Sequence, residues 1–421
     1  MNTQTTQTLK GFRDLLPEEK RQKMFLVNKI IETFTLFGFE PLETPTLEYA
    51  ELLLGKYGEE ADKLVYTFAD KGGREVGLRY DQTVPTARIL AQFRNNLPKY
   101  FRRYQIQNVF RADKPQQGRF REFTQCDIDI FGTTSTLADA EILACTYSVY
   151  KNIGFEKVKL EVNNRQLLIN ALKPFTDSKV DVFSIIQSID KSDKKPQEMI
   201  EQELQEKGLS QEATKKIFTT LSEIKPDETL NKIIEQAAAL GVNKEDLVFT
   251  PTLARGLDYY TGLIFEIKLP DYEVGSCGGG GRYDNLIGDL CSIQIPAVGV
   301  GIGFDRTLEA AVQLGLVPET KAPCRVLVTI FSEEAVATSL ETAQMLRKNK
   351  IDTIVYPEED KIGKQLKYAN QQQIPWVIII GDEELAKNKI SLKNMISGDQ
   401  QQLSFQEATK LIVKNNTSGT E

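Results

Sequence analysis

The stretch from Tyr100 to Gly132 limits the possible fold more than any other part of this chain. Two segments of alternating polar and apolar residues flank the turn-rich Lys114-Pro115-Gln116-Gln117-Gly118, the pattern of a long antiparallel hairpin. Side chains of one parity share a face of a strand. The odd positions are Arg103, Gln105, Gln107, Val109 and Arg111 on the way out, and Arg121, Phe123, Gln125, Asp127 and Asp129 on the return. The even positions Tyr104, Ile106, Phe110, Cys126, Ile128 and Ile130 make the opposite face apolar. Between Lys99 and Arg121 there are seven basic residues and one acidic one, although the whole chain carries a net charge of −7. The odd face therefore reads in one of two ways. It is the solvated outer side of an antiparallel sheet, or it is a bed for a polyphosphate at its arginine end and for a cationic or hydrogen-bonding group at its carboxylate end.

The neighbouring sequence supplies elements to pack on the apolar face. Residues 18–37 place Met24, Val27, Ile30, Ile31, Phe34 and Phe37 at three-and-four spacing between Pro17 and Gly38, which predicts an amphipathic helix. Two prolines in Glu40-Pro41-Leu42-Glu43-Thr44-Pro45 forbid helix there and suit an edge or interface strand. A helix is expected over Ala138 to Tyr150. From Lys173 the composition turns rich in Glu, Lys and Gln, with helical spacing over 196–207, 211–224 and 229–239, so residues 173–246 read as a helical insertion. Glycine-rich, strand-like sequence resumes at Phe249 and runs to Leu316. Beyond Pro318 and Pro323, strand-like runs (325–330, 353–356, 376–380) alternate with helical ones (334–349, 363–372, 406–414), which predicts a separate α/β domain with parallel strands.

The chain of 421 residues contains no histidine. A Ser-His-Asp triad, a Cys-His pair and His-ligated zinc or haem are all excluded, so chemistry must rest on carboxylates, guanidinium and ammonium groups, hydroxyls, backbone dipoles or an oxygen-ligated metal. Five widely spaced cysteines with no C-x-x-C pair indicate neither a disulfide framework nor a thiolate metal site. No apolar run approaches the roughly 20 residues needed to span a bilayer, and a cytoplasmic protein without membrane partners is expected.

Three glycine-marked segments stand apart. Gly299-Val300-Gly301-Ile302-Gly303-Phe304-Asp305-Arg306 reads as a strand running into a helix, with glycines at period two clearing one face and Arg306 near a positive helix end suited to phosphate. The bland alternative is close packing of helix on sheet. Leu253-Ala254-Arg255-Gly256-Leu257-Asp258-Tyr259-Tyr260-Thr261-Gly262 and Gly278-Gly279-Gly280-Gly281-Arg282-Tyr283-Asp284 each join an arginine to tyrosines. A flexible turn and a core tyrosine pair are their ordinary readings, and neither accounts for Arg255 and Arg282. No P-loop is present.

Taken together, these segments resemble the class II aminoacyl-tRNA synthetases, and among them the histidyl-tRNA synthetase family. The helix and strand ending at Pro45 resemble motif 1. The strand-loop-strand with Phe110-Arg111-Ala112-Asp113 and Gly118-Arg119-Phe120-Arg121 resembles motif 2, and Gly301-Ile302-Gly303-Phe304-Asp305-Arg306 resembles motif 3. The segments at 253–262 and 278–284 resemble the two histidine-specific signatures. The resemblance implies an α/β (α+β) architecture, with a class II antiparallel-sheet catalytic core (1–172 and 247–318), a helical insertion (173–246) and a C-terminal α/β anticodon-binding domain (323–421). It implies a homodimer formed through the strand near Pro45.

The implied activity is activation of L-histidine with ATP and Mg²⁺ to histidyl-adenylate, followed by transfer to tRNA(His). The matching positions put Arg111 and Arg255 on the α-phosphate, Arg119 and Arg306 near the β and γ phosphates, Phe123 under the adenine, and Asp113 in the ATP-binding motif. The histidine ammonium would meet Asp81, Thr83 and Gln125, and the imidazole Asp129 and Tyr260, with Tyr259 closing the pocket. No protein metal ligands are implied with the same definition. Asp81, Asp113 and Asp129 are one methylene shorter than the residues common in bacterial members, while keeping the carboxylate. Two other readings compete with this one: a catalytically inactive paralogue serving as a regulatory subunit of histidine biosynthesis, and a nucleic-acid-binding accessory protein that retains the fold without consuming ATP.

Overall fold

The computed structural model describes residues 6–55, 62–114, 120–192, 195–256, 259–272, 275–318 and 322–414. The chain divides into two compact units, Met1–Pro318 and Glu319–Glu421.

The first unit is built on the expected hairpin, β5 (Phe101–Phe110) and β6 (Glu122–Phe131), in antiparallel register with Arg103 opposite Asp129, Gln105 opposite Asp127 and Gln107 opposite Gln125. Including β1 (Glu40–Pro41), β7 (Lys159–Asn164), β8 (Leu247–Phe249), β9 (Leu263–Lys268), β10 (Gly278–Arg282) and β11 (Ala297–Ile302), these strands form an eight-stranded sheet of order β1-β5-β6-β11-β10-β9-β7-β8. Only the outermost pairs, β1 with β5 and β7 with β8, are parallel among its strand pairings. The four glycines at 278–281 lie within β10, a central strand, so the flexible-turn reading of that segment is corrected. β2 (Leu47–Tyr49), β3 (Thr67–Ala69) and β4 (Glu75–Leu78) make a small separate antiparallel sheet.

The even face of the hairpin does what its composition demands. Cys126, Ile128 and Ile130 are buried in one core with Leu26, Ile30 and Phe34 of α1 (Pro17–Leu36) and with the length of α4 (Thr136–Ile153). Pro17 at the first turn of α1 and Gly38 at φ +72° just past its end punctuate it as expected. The buried stripe runs through Leu26, whereas Met24, assigned to the apolar face by spacing, is exposed. Ser135 caps α4 by accepting from Leu137 N, and Gly154 closes it at φ +114°.

Numbering α2 (Ala50–Leu53) and α3 (Thr83–Gln92) in between, the segment from 165 to 239 supplies α5 (Arg165–Leu172), α6 (Val182–Ile189), α7 (Gln197–Lys207), α8 (Gln211–Glu223) and α9 (Glu228–Ala239). These helices do not share one core. Ile185, Ile189, Leu204 and Leu221 cluster with Leu168 and Tyr260, while Leu230, Ile233 and Ala237 of α9 join the main core beside α4. The unit also contains α10 (Leu286–Cys291) and α11 (Phe304–Gln313).

In the second unit, β12 (Val326–Val328) lies between β13 (Thr353–Val355) and β14 (Trp376–Ile379), parallel to both. Val326 and Val328 are buried with Ala343 and Leu346 of α12 (Val336–Lys348), and Leu327 with Ala369 of α13 (Ile362–Gln371). Cover on both faces is why these strands read as unbroken apolar runs. The expectation of parallel strands alone needs correction: β15 (Ile390–Asn394) and β16 (Gln400–Leu403) extend the sheet antiparallel from β14. Their polar residues and the turn at Gly398 mark an edge hairpin that the alternation of helix and strand concealed.

Candidate active site

The odd face of the hairpin is neither solvated nor flat. Its Arg111, Phe123, Gln125, Asp127 and Asp129 line a cavity of about 670 Å³ in the first unit, together with residues from β9, β10, β11 and the segment ahead of α3. Asp81, Thr83, Arg111, Asp113, Phe123, Gln125, Asp129, Arg255, Tyr259, Tyr260 and Arg306 all line this one cavity, although they come from five stretches of sequence. Arg119 lies outside the described residues.

The glycines make the space. β11 runs beside β6 with Gly299 opposite Asp129 and Gly301 opposite Asp127. β10 continues the row with Gly281 opposite Gly299 and Gly279 opposite Gly301. A β-carbon at Gly299 would overlap Asp129 Oδ1, and one at Gly281 would lie 2.9 Å from the Tyr260 ring. Period two on two adjacent strands thus clears a floor at the level of the carboxylates. The close-packing alternative for this segment holds only for the other parity, where Val298, Val300 and Ile302 enter the core.

At the carboxylate end, a buried guanidinium sits under the floor. Arg103 Nη2 lies 2.6 Å from Asp129 Oδ2, and the Tyr283 hydroxyl donates to Asp129 Oδ1. Arg103 is 1% exposed, which means the pair was taken out of water at a cost that only good geometry and further hydrogen bonds offset. Burial pushes the Asp129 carboxyl upward, while Arg103 and Tyr283 pull toward the ionised form. Asp127 lacks such a partner. Burial drives its pKa up to about 8, helped by the neighbouring Asp129 and Asp81 charges and opposed by Arg103 and by the Gln125 amide, whose Nε2 donates to Oδ2 at 2.8 Å. Asp127 Oδ1 and Gln125 Oε1 are buried with no hydrogen-bond partner among the described residues. Two inward-facing acceptors beside a carboxyl poised to ionise suit a bound cationic group with hydrogens to donate.

Arg111, Arg255 and Arg306 stand around the rest of the cavity. Arg111 donates from Nε to Tyr80 O at 3.2 Å, and its guanidinium lies 4.3 Å from the Tyr80 ring centroid and 5.1 Å from that of Phe123. Arg255 Nη1 pairs with Glu266 Oε1 at 2.9 Å and faces the Tyr260 ring. Arg306, in the first turn of α11, donates to Ser276 O at 2.8 Å, beside the positive end of that helix. Asp305 next to it is engaged by Arg13, whose guanidinium stacks 4.0 Å from the Phe120 ring.

Arg282, singled out by sequence beside Arg255, is not part of the cavity. It is buried against Asp139, at 2.6 Å, and Asp284, at 3.0 Å, and donates to the carbonyls of Thr133 and Ser135, tying β10 to the start of α4. Conversely, the sequence reading gave no role to Asp127, Tyr283, Glu266 or Tyr80, all of which line the cavity. Strand parity already placed Asp127 with Gln125 and Asp129. Glu266, a lone carboxylate within Leu263-Ile264-Phe265-Glu266-Ile267, carried a comparable signal.

Among the described residues, no three His, Cys, Asp or Glu side chains converge as a metal site, and no helix is long and apolar enough to cross a membrane. Cys126, Cys145, Cys277 and Cys324 are free and buried.

Comparison with known proteins gives the same outline. Residues 11–306 match the family described as histidyl-tRNA synthetase, and residues 325–415 match an anticodon-binding domain. The chain is 39% identical to a histidine--tRNA ligase of Wolinella succinogenes, covering 97% of this chain and 98% of that protein. It is 37% identical to a histidine--tRNA ligase of Clostridium tetani, covering 96% and 97%. The crystal structure of histidyl-tRNA synthetase from Nostoc sp. PCC 7120 superposes with a TM-score of 0.84 at 30% identity, over 97% of this chain and 99% of that one. A Bacillus halodurans structure described as an ATP phosphoribosyltransferase regulatory subunit/histidyl-tRNA synthetase shares the fold, with a TM-score of 0.71 at 22% identity over 86% of this chain and 96% of that one.

Proposed function

This chain belongs to the histidyl-tRNA synthetase family, and from that premise we propose that it activates L-histidine with ATP to histidyl-adenylate and transfers the histidyl group to tRNA(His). One observation carries the reading: guanidinium groups from three separate motifs and a carboxylate-lined hollow open into a single cavity. A regulatory subunit of histidine biosynthesis would need neither that arginine set nor a C-terminal unit of the anticodon-binding family.

In the first step, a carboxylate oxygen of histidine attacks the α-phosphorus of ATP, a P–O bond forms, and the bond to the β-phosphate oxygen breaks to release pyrophosphate. The nucleophile is already ionised, so no protein base is required and a chain without histidine loses nothing. The barrier is the approach of two anions, and the protein's work is positioning and charge stabilisation. Arg111 and Arg255 act on the α-phosphate. Each is pre-aimed, Arg111 by Tyr80 and Phe123 and Arg255 by Glu266. Arg306, with Arg119, acts on the β and γ phosphates. Phe123 stacks on the adenine, and Asp113 contributes to the same ATP-binding motif. Mg²⁺ bound with the substrate ATP would supply further neutralisation of phosphate charge beside Arg111, Arg255 and Arg306.

The ammonium of histidine is taken by Asp81, Thr83 and Gln125, to which we add Asp127 for its unsatisfied Oδ1 and its hydrogen bond with Gln125. The imidazole meets Asp129 and Tyr260, with Tyr259 closing the pocket. Arg103 and Tyr283 hold Asp129 in place. An apolar side chain of similar size would strand these buried groups without partners, which is how such a pocket rejects isosteres. In the second step, a ribose hydroxyl of the terminal adenosine attacks the histidyl carbonyl and AMP leaves.

The second unit would read tRNA(His). With 12 basic and 13 acidic residues from Pro323 onward, it must do so by local contacts rather than by a field. A cytoplasmic homodimer fits this scheme, its interface near β1, where Leu36, Leu47 and Tyr49 are 79%, 45% and 56% exposed. Charging of a tRNA(His) transcript with labelled histidine and ATP is the test. Acylation is expected, and its absence with intact transcript would overturn the proposal.

A further inference from the structure

Arg255 has φ +52°, a left-handed backbone that an L residue with a side chain adopts only when its surroundings enforce it. What enforces it lies outside the cavity. Asn163 and Arg165, at the junction of β7 and α5, reach across to the carbonyls of the segment leading into Arg255. Asn163 Nδ2 donates to Pro251 O at 3.1 Å and to Leu253 O at 3.0 Å. Arg165 Nη1 donates to Ala254 O at 2.9 Å and to Arg255 O at 3.1 Å. The backbone N–H of Arg165 also donates to Gly262 O at 2.8 Å, gripping the far end of the same segment. Arg165 is fully buried, with its guanidinium 5.6 Å from the Phe183 ring of α6. Gly256, next to Arg255, packs so closely on Asp190 at the end of α6 that a β-carbon there would lie 2.9 Å from the carboxylate.

A fully buried guanidinium is costly to desolvate, and replacing it with an apolar side chain would be the cheaper way to fill the same space. Its rigid planar donor set offers what an apolar residue cannot, namely directed hydrogen bonds to two successive carbonyls. Those carbonyls flank the peptide that sets where the Arg255 side chain leaves the backbone. We propose that Arg165 is a positioning residue for amino-acid activation, its buried guanidinium fixing the backbone of Ala254 and Arg255 so that the Arg255 side chain is delivered to the reacting phosphate. This inference rests on the activation reaction proposed above. It also gives α6 a part in catalysis at one remove, because Phe183 packs on the Arg165 guanidinium and Asp190 on Gly256 of the braced segment.

The test is histidine-dependent ATP–pyrophosphate exchange by the full-length protein, comparing wild type, Arg165→Met, Arg165→Lys, Arg255→Ala and the double variant Arg165→Met/Arg255→Ala. Misplacing a reacting group by about 1 Å costs on the order of 100-fold, so Arg165→Met should lower kcat by roughly 30- to 100-fold and leave both KM values within about threefold. Arg165→Lys, which keeps the charge without the planar fork, should fall in between. In the Arg255→Ala background the same Arg165→Met change should cost less than about twofold, since nothing is left to aim. A loss of kcat that persists in that background identifies a general structural role and overturns the inference, as does a kcat for Arg165→Met within threefold of wild type. If circular dichroism shows Arg165→Met unfolded, Arg165→Lys is read alone and in the Arg255→Ala background by the same criteria. A wild type silent with histidine would bring down the functional reading and this inference together, whereas an active wild type with an unaffected Arg165→Met brings down this inference alone.

Discussion

The two faces of one hairpin solve opposite problems with the same backbone. On the even side, Cys126, Ile128 and Ile130 are sealed against α1 and α4, where burial of apolar surface stabilises the fold. On the odd side, Arg103, Gln105, Asp127 and Asp129 are buried nearly as deeply, each 5% exposed or less, and burial there works against folding unless each charge finds a partner. The partners form a chain: Thr44 to Gln105, Gln105 to Gln107 and Arg103, and Arg103 to Asp129. Asp127 is left out of it. The contrast shows that stability and function are divided here by residue parity, so substitutions one position apart should fail in different ways.

The largest effect is expected where function alone is struck. Arg255→Ala removes a guanidinium from the transition state while its partner Glu266 retains Lys268, 3.5 Å away. Histidine-dependent exchange should fall about 10²- to 10³-fold, as for removal of an oxyanion-stabilising donor, with the thermal midpoint little changed. An unchanged rate would remove Arg255 from the mechanism.

Next comes the even face. Ile128→Ala empties a fully buried site and should cost about 2 to 5 kcal/mol in denaturant unfolding. The KM for histidine of the remaining folded protein should stay near the wild-type value. A KM that rose as steeply as stability fell would show that the faces are not separable.

Gly299→Ala tests the floor. Its β-carbon would press on Asp129 Oδ1 and displace the carboxylate held by Arg103 and Tyr283. Histidine KM should rise at least tenfold, with a smaller change in ATP KM. Equal shifts for both substrates would place the amino acid elsewhere in the cavity.

The smallest expected effect is the most specific in sign. The Asp127 carboxyl, pushed up to about 8 by burial, holds its proton in the folded ligand-free protein well above the range of roughly 4 where the unfolded chain releases it. The folded state therefore binds the extra proton between about pH 4 and pH 8, and this residue's contribution to stability declines as pH rises through that window, by at most about 1.4 kcal/mol per pH unit. Asp127→Asn should flatten that decline in a series of thermal melts without ligand while raising the KM for histidine. A steeper decline would reverse the assignment.

Most of this was legible in the sequence because a strand's period of two is robust. Counting by twos puts Gln125, Asp127 and Asp129 on one face of the hairpin and clears one face of the strand holding Gly299 and Gly301; that the two faces adjoin is visible only in the sheet register. What stayed hidden depended on contacts between distant segments. Arg282 and Arg255 look alike in sequence, each an arginine amid glycine and tyrosine, yet one is consumed by Asp139 and the other opens into the cavity. Nothing local distinguishes them, because the difference lies in which element packs alongside. Arg165 likewise sits in an unremarkable helix start, and its role is visible only through the carbonyls it reaches. The edge hairpin of the second unit was missed because its polar strand carries no apolar alternation of its own.

The claim that the odd face builds a pocket for one amino acid beside one nucleotide is tested most directly by ATP–pyrophosphate exchange with the wild-type protein, each of the standard amino acids being offered in turn at equal concentration. Exchange with histidine and background rates with the rest are the predicted result. Comparable exchange with a second amino acid, or none with histidine, would contradict it.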